Sequence, residues 1–339
     1  MSEIRKLSEF KSFENSRLIY VNEGAISRLM PSEFLSEIIS YLGKGRLPLK
    51  YTYCGDGARL QDDVANNLEG EFILDSSVLM SMSSDILDIL RNFRAINLID
   101  VGCGDGLPAK EFLSFLDSQK KLNAYLPVDI SRETMSLAQD NLRNKSDIPN
   151  EKLLEGVLFD FEKQELEISN SLIQSAEVAN LLLMLGGTLG NYPTFKLQIE
   201  LLRRLTKYVP NCYIFITSDI ANTNDETEYN IDQSTQLRFL PRLLGLQDSD
   251  FNIYYKYQKE QEITQYYLKI NSNVTLVFKN ERKSVVLSKN SKIVIYEHKS
   301  DIPQLVEKKC FDAGLKLKLI KYQDHEDRTF IYYLCSKIL

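Results

Sequence analysis

At 339 residues, with 43% hydrophobic, 26% charged and 10% aromatic side chains, the chain is about two domains long and has ordinary globular composition, which excludes a disordered or fibrous molecule. Forty-one Lys and Arg against 47 Asp and Glu give a net charge of −6, which repels a phosphate backbone and argues against nucleic acid as a partner. Five widely spaced cysteines without a C-x-x-C read as reduced thiols, and two histidines leave little material for a metal site, so no metal is expected.

The N-terminal Met1-Ser2-Glu3-Ile4-Arg5-Lys6 lacks the apolar core of a signal peptide, and no stretch approaches the about 20 apolar residues of a membrane span. A cytoplasmic location without a membrane partner is expected. From Ile86 to about Asp219 the chain alternates strand-like and helical stretches. Ala95 to Val101 and Ala124 to Asp129 read as strands, Ala109 to Leu116 as a helix, and Arg132 to Leu142 as a helix capped by Ser131. Glu177 to Leu185 is too apolar for a surface strand, Lys196 to Leu205 is amphipathic, and Cys212 to Thr217 is a short buried run. This spacing implies a parallel sheet wound on both faces.

After about Thr223 the sequence becomes Asn- and Tyr-rich, and Gln265 to Ile270 and Asn273 to Phe278 alternate like antiparallel hairpins with one wet face. The run Tyr254-Tyr255-Lys256-Tyr257 reads as half-buried hairpin surface, and His298 as packed or solvent-facing. A last helix, Ile302 to Ala313, ends at Gly314, and Thr329 to Cys335 suits a final antiparallel strand.

The chemistry-bearing stretch is Leu98-Ile99-Asp100-Val101-Gly102-Cys103-Gly104-Asp105-Gly106. A strand running into glycines turns sharply and leaves room for a ligand where a Cβ would stand. No Gly-Lys-Ser/Thr follows, so a P-loop is excluded. Asp129 ends the next strand, where its carboxylate could accept from both hydroxyls of a ribose, and Phe159-Asp160-Phe161 could receive an adenine ring. Helix capping or solvation of these acids is the open alternative.

The order Asp100-Val101-Gly102-Cys103-Gly104, Pro127-Val128-Asp129-Ile130-Ser131, Phe159-Asp160-Phe161-Glu162 and Leu185-Gly186-Gly187-Thr188-Leu189-Gly190-Asn191 resembles the S-adenosylmethionine (SAM)-dependent amino-acid N-methyltransferases. That family is typified by the histidine Nα-methyltransferase of ergothioneine biosynthesis, and a relative in it acts on dimethylallyltryptophan. The resemblance extends over most of the chain, including Leu47-Pro48-Leu49-Lys50-Tyr51-Thr52-Tyr53 and Tyr229-Asn230 with Phe239. It implies SAM as cofactor and, residue by residue, Gly102, Lys110, Asp129, Asp160 and Phe161 as cofactor contacts, to which the glycine turn adds Gly104 as a further cofactor-binding residue; matching Lys110 requires a two-residue insertion in the loop. It likewise implies Tyr53, Gly186, Asn191, Tyr229 and Glu297 as substrate contacts, with Asn191 and Tyr53 holding the amine and Tyr229 meeting the carboxylate. A turn role for Asn191 and packing roles for the tyrosines stay open on the residues alone.

The departures bear on substrate choice. The family's second aromatic before the sheet falls near Gly70, with Phe72 the nearest ring, and a pocket methionine falls near Tyr266. The serine expected two residues after the acid is Lys299, which strand alternation puts on one face with Glu297, where it would neutralise that carboxylate. An amino acid with an aromatic or bulky side chain is therefore expected in preference to histidine.

The sequence thus predicts an α/β Rossmann-like class I methyltransferase sheet of 77–217 with 302–339. A discontinuous substrate domain of 1–76 with 218–301 is expected beside it, with the active site in the crevice between them. The expected activity is SAM-dependent methylation of the amino group of an amino acid or related small molecule. Another natural-product amine or hydroxyl, or a non-catalytic SAM-binding protein, are the alternatives.

Overall fold

The computed structural model describes residues 2–6, 16–60, 71–168, 173–220, 225–231, 235–325 and 328–338. The chain divides into two compact units, Met1–Gln61 with Thr223–His298 and Asp62–Asn222 with Lys299–Leu339.

The chain opens with β1 (Ser2–Lys6), β2 (Arg17–Tyr20), α1 (Glu23–Leu29) and α2 (Ser32–Gly43), then a 3-10 turn at Leu49–Tyr53. Asn22 caps α1 by accepting from Ala25 N at 3.0 Å. The second unit then begins with α3 (Glu71–Ser81) and α4 (Ser83–Ile89). It continues through β3 (Ala95–Val101), α5 (Leu107–Ser118), β4 (Leu122–Asp129), α6 (Arg132–Lys145), β5 (Val157–Leu158), β6 (Val178–Met184), α7 (Phe195–Thr206) and β7 (Cys212–Ile220).

The first unit resumes with β8 (Glu228–Asn230), α8 (Thr235–Leu243), β9 (Phe251–Gln258), β10 (Ile263–Ile270), β11 (Val274–Phe278), β12 (Lys283–Leu287) and β13 (Lys292–Lys299). The second unit closes with α9 (Pro303–Asp312), β14 (Leu315–His325) and β15 (Arg328–Lys337).

The second unit's seven-stranded sheet has the order β14-β15-β7-β6-β3-β4-β5. Strands β3 to β7 pair in parallel, and β15 runs antiparallel to both of its neighbours. Side chains of the central strands alternate between two apolar layers: Leu98, Leu181 and Leu183 face one, and Ile99, Leu182 and Met184 the other. Burial on both faces explains why these strands are continuous apolar runs rather than alternating ones. The chain runs outward from β3 to β4 and β5, then returns to place β6 on the other side of β3. That reversal between β3 and β6 is the switch point at which α/β sheets bind ligands. The expected Rossmann-like α/β fold is the observed one.

The helices start where their caps dictate. Ser131 Oγ accepts from Thr134 N at 3.2 Å and opens α6. Helix α5 begins at Leu107, two residues before the expected start, because Pro108 suits a first turn and Asp105 Oδ1 accepts from Leu107 N at 3.0 Å.

The first unit holds two four-stranded sheets, β1-β12-β11-β2 and β13-β10-β9-β8. Strands β9 and β10, and β11 and β12, pair antiparallel as expected, but β11 is buried along its whole length, so the wet face expected of 273–278 is not observed. Among the described residues no helix is long and apolar enough to cross a membrane.

Candidate functional site

In the second unit four chain segments meet the carboxyl ends of adjacent parallel strands: the glycine turn after β3, Asp129 at the end of β4, Phe159 to Phe161 after β5, and the Gly186 to Asn191 loop after β6. Gly102, Gly104 and Gly106 have φ of 73°, 54° and 75°, a region closed to most L side chains. Their surroundings differ. A Cβ on Gly106 would stand 3.0 Å from Ala138 Cβ, so this glycine lets α5 approach α6. At Gly104 a Cβ would meet nothing within 4 Å, so this part of the turn borders open space. At Gly102 it would stand 3.4 Å from Thr188 Oγ1 and 3.8 Å from Phe161 Cε2. Gly102 therefore brings together the glycine turn, the β6 loop and the Phe161 ring.

Asp129 is only 7% exposed. Ser131 N donates to its Oδ1 at 3.0 Å. Burial pushes Asp129 up to about 6 from an ordinary 3.8, although backbone N–H groups of Ser131, Ile130 and Gly104 favour its charged form. The Gly104 amide thus couples the glycine turn to this carboxylate. Asp100 is pushed further, to about 7, chiefly by burial, against the hydrogen bond that Tyr125 Oη donates at 2.8 Å. Burial, with Asp129 and Asp100 nearby, also raises the Cys103 thiol, so it stays protonated and is no nucleophile.

Asp160 Oδ1 accepts from Glu162 N at 2.9 Å, which shapes the turn that presents Phe161. The Phe161 ring lies tilted against Phe159 with centroids 5.4 Å apart. Lys110 sits half-buried in the first turn of α5.

In the loop after β6, Gly186 and Gly187 have φ of 65° and 68° and lead into a 3-10 turn, Thr188–Asn191. Thr188 Oγ1 donates to Leu185 O at 2.9 Å, and Gly187 N donates to Thr217 Oγ1 at 3.4 Å. Asn191 closes the turn, half-buried. Thr188, whose approach to Gly102 is a contact between distant segments, has as its one local signal its place inside the glycine-rich loop.

In the first unit Tyr53 closes the 3-10 turn Leu49–Tyr53 and is half-buried. Tyr51 Oη donates to Glu37 Oε2 at 2.9 Å and Thr52 Oγ1 to Leu49 O at 2.7 Å, which anchors the turn. A Cβ on Gly57 would stand 1.9 Å from Thr52 O and 2.9 Å from the Phe239 ring, so α8 packs closely beside this turn. The Phe72 side chain lies outside the described residues, although its backbone belongs to α3.

Tyr229, Tyr255, Tyr266 and Tyr296 form a run across β8, β9, β10 and β13, with successive ring centroids 5.2, 5.6 and 5.1 Å apart. Tyr296 Oη and His298 Nδ1 lie 3.0 Å apart on the same strand face. Tyr229 Oη also donates to the exposed Asp225 carboxylate, which raises the tyrosine's pKa.

The sequence neighbours of Tyr266 and Tyr296 point to the opposite face by strand alternation. There Gln265 Nε2 donates to Glu297 Oε1 at 2.9 Å, and Arg46 Nη2 donates to Glu297 Oε2. The structure therefore does not bring Tyr229 and Tyr266 together with Glu297. The β10 residue beside Glu297 is Gln265, because a shift of one residue moves a strand side chain to the other face. The cation paired with Glu297 is Arg46, placed by a bridge to β13 in which Leu47 N donates to Val294 O at 2.7 Å. Lys299 is the last residue of β13.

No curated protein matches the chain. Solved structures with a similar fold include the CcbJ methyltransferase from Streptomyces caelestis, at 14% identity and a TM-score of 0.45 over 76% of this chain and 89% of that one. The sugar N-methyltransferase KedS8 from Streptoalloteichus sp ATCC 53650 is similar at 8% identity and 0.45 over 82% and 92%. Magnesium protoporphyrin IX methyltransferase from Synechocystis PCC 6803, with bound SAH, is similar at 12% and 0.40 over 77% and 83%. The family pattern described as "Histidine-specific methyltransferase, SAM-dependent" matches residues 34–337. The chain belongs to this family and is a SAM-dependent methyltransferase.

Proposed function

We propose that the chain transfers a methyl group to the amino nitrogen of an amino acid other than histidine. The observation that carries this reading is the approach of Thr188, in the loop that ends at Asn191, to Gly102 of the glycine turn. It supports a site in which the residue holding the amine stands beside the cofactor cradle.

The residues present fit SAM. The open space at Gly104 admits a ligand against the backbone, and the buried Asp129 carboxylate suits a ribose diol. Phe161 offers a ring face to an adenine, and Asp160 shapes its turn. Bound SAM supplies an electrophilic methyl group on a sulfonium, so no covalent enzyme intermediate is needed. The protein's task is then alignment: Asn191 holds the neutral amine for in-line attack, with Gly186 leaving room at the loop. Such alignment contributes roughly 7 to 11 kcal/mol in oriented model reactions. The proton left on the methylated nitrogen passes to solvent, which agrees with the shortage of histidine bases.

Exclusion of histidine rests on Glu297. Each of its oxygens already accepts a donor, from Gln265 and from Arg46, so it is poorly placed to grip an imidazole N–H. Asp129→Ala should weaken SAM binding by about 1 to 3 kcal/mol, the cost of losing a charge-assisted acceptor. Asn191→Ala should leave SAM affinity near wild type while methyl transfer falls by more than about ten-fold. Calorimetry and turnover at saturating SAM separate the two, and the reverse pattern contradicts the assignment.

A further inference from the structure

The Arg46–Glu297–Gln265 cluster joins residues far apart in sequence around one carboxylate. Glu297 is 12% exposed by its side chain and Arg46 44%. The arginine is held at both ends: Val294 N donates to Gly45 O at 2.9 Å and Leu47 N to Val294 O at 2.7 Å, while Nη2 donates to Glu297. Among the described residues the Nε and Nη1 donors of Arg46 meet no protein acceptor. An arginine presents its donors in a fixed fork, so anchoring one leg fixes the direction of the others.

We propose that Arg46 sets the polarity of substrate side-chain recognition. It withholds Glu297 from side chains that donate an N–H, and offers its remaining donors to a substrate whose side chain ends in an oxygen acceptor, a carboxylate or carboxamide. This rests on the reading that Glu297 lies beside the substrate. Specificity then comes from a donor that is wasted on the wrong substrate, a stronger discrimination than pocket shape gives.

The test is competitive turnover of histidine against glutamate and against glutamine with SAM, read by mass spectrometry. Wild type should favour the acceptor-bearing amino acids over histidine by about ten-fold or more. Arg46→Met keeps the aliphatic stem but frees a Glu297 oxygen, and should move the ratio toward histidine by about ten-fold. Arg46→Lys keeps a cation on Glu297 but loses the fork, so histidine should stay disfavoured while turnover of glutamate and glutamine falls. The double variant Arg46→Met with Glu297→Gln should lose the shift, because the freed carboxylate is then gone. If Arg46→Met does not fold, Gln265→Leu frees the other oxygen and should move the ratio the same way. Wild type that methylates no amino acid overturns the proposed function itself. Wild type that turns over but favours histidine, or a ratio unmoved by freeing Glu297, overturns the role of Arg46 alone.

Discussion

Asp100 shows what a residue type and its position can and cannot announce. An aspartate ending an apolar strand before glycines was legible as part of a ligand turn, but its burial and its bond to Tyr125 depend on packing. Its folded pKa is about 7 against an ordinary 3.8. Between these values the folded state holds a proton that the unfolded state has released. The contribution of Asp100 is fully present below the lower value and is lost as pH rises through the higher one. Asp100→Asn keeps an acceptor for Tyr125 and removes the titration. The variant should gain on wild type as pH rises from about 4 to about 8, by up to roughly 4 kcal/mol at 1.36 kcal/mol per unit. Urea unfolding at both pH values measures this, and an unchanged difference between the two proteins contradicts it.

Arg46 marks the other limit at this scale. It stands 251 positions from Glu297, and nothing local to Gly45-Arg46-Leu47 announces a partner so distant. By contrast, the places of Gly102 in a strand-to-glycine turn and of Asp129 at a strand end were legible, because each carries its signal within a few residues.

Among elements, the parallel strands were the most legible, since burial on both faces leaves an apolar run that little else explains. Their polar interruptions carry a separate meaning. Asn123 Nδ2 donates to Asn97 Oδ1 at 2.7 Å, Asn97 Nδ2 donates to Asn180 Oδ1 at 2.8 Å, and Asn180 Nδ2 donates to Ile173 O at 2.9 Å. This chain of amides crosses β4, β3 and β6 and fixes their register, because a buried amide is stable only opposite its partner. Asn97→Leu should cost about 1 to 3 kcal/mol, mainly by leaving the Asn180 carbonyl without that donor. A loss below about 0.5 kcal/mol in chemical denaturation would show that the ladder does not bear on stability. Strand β10 was legible as an element but not in its orientation. Tyr266 and Gln265 are equally compatible with an alternating strand, and pairing with β9 and β13 decides which of them meets Glu297.

For the whole molecule, the switch point between β3 and β6 explains why Gly102, Phe161 and Thr188, scattered in sequence, converge. The family's chemistry follows from that convergence and from the match over residues 34–337. The proposed substrate contacts Tyr53, Tyr229 and Glu297 lie in Met1–Gln61 and Thr223–His298, a unit assembled from two separate stretches of chain. Of its two sheets, the one with β9 and β10 is Tyr-rich and half-buried, whereas β11 of the other is buried along its whole length, so the strands were readable and the chemistry of the Tyr-rich face less so. The proposed reaction is methyl transfer to the amine of an amino acid other than histidine. Incubating the protein with SAM and the twenty common amino acids, and reading each product's mass and fragmentation, tests this reaction. A methylated α-amine on at least one amino acid ahead of histidine is expected; histidine as the preferred substrate, or methylation confined to oxygen, would contradict it.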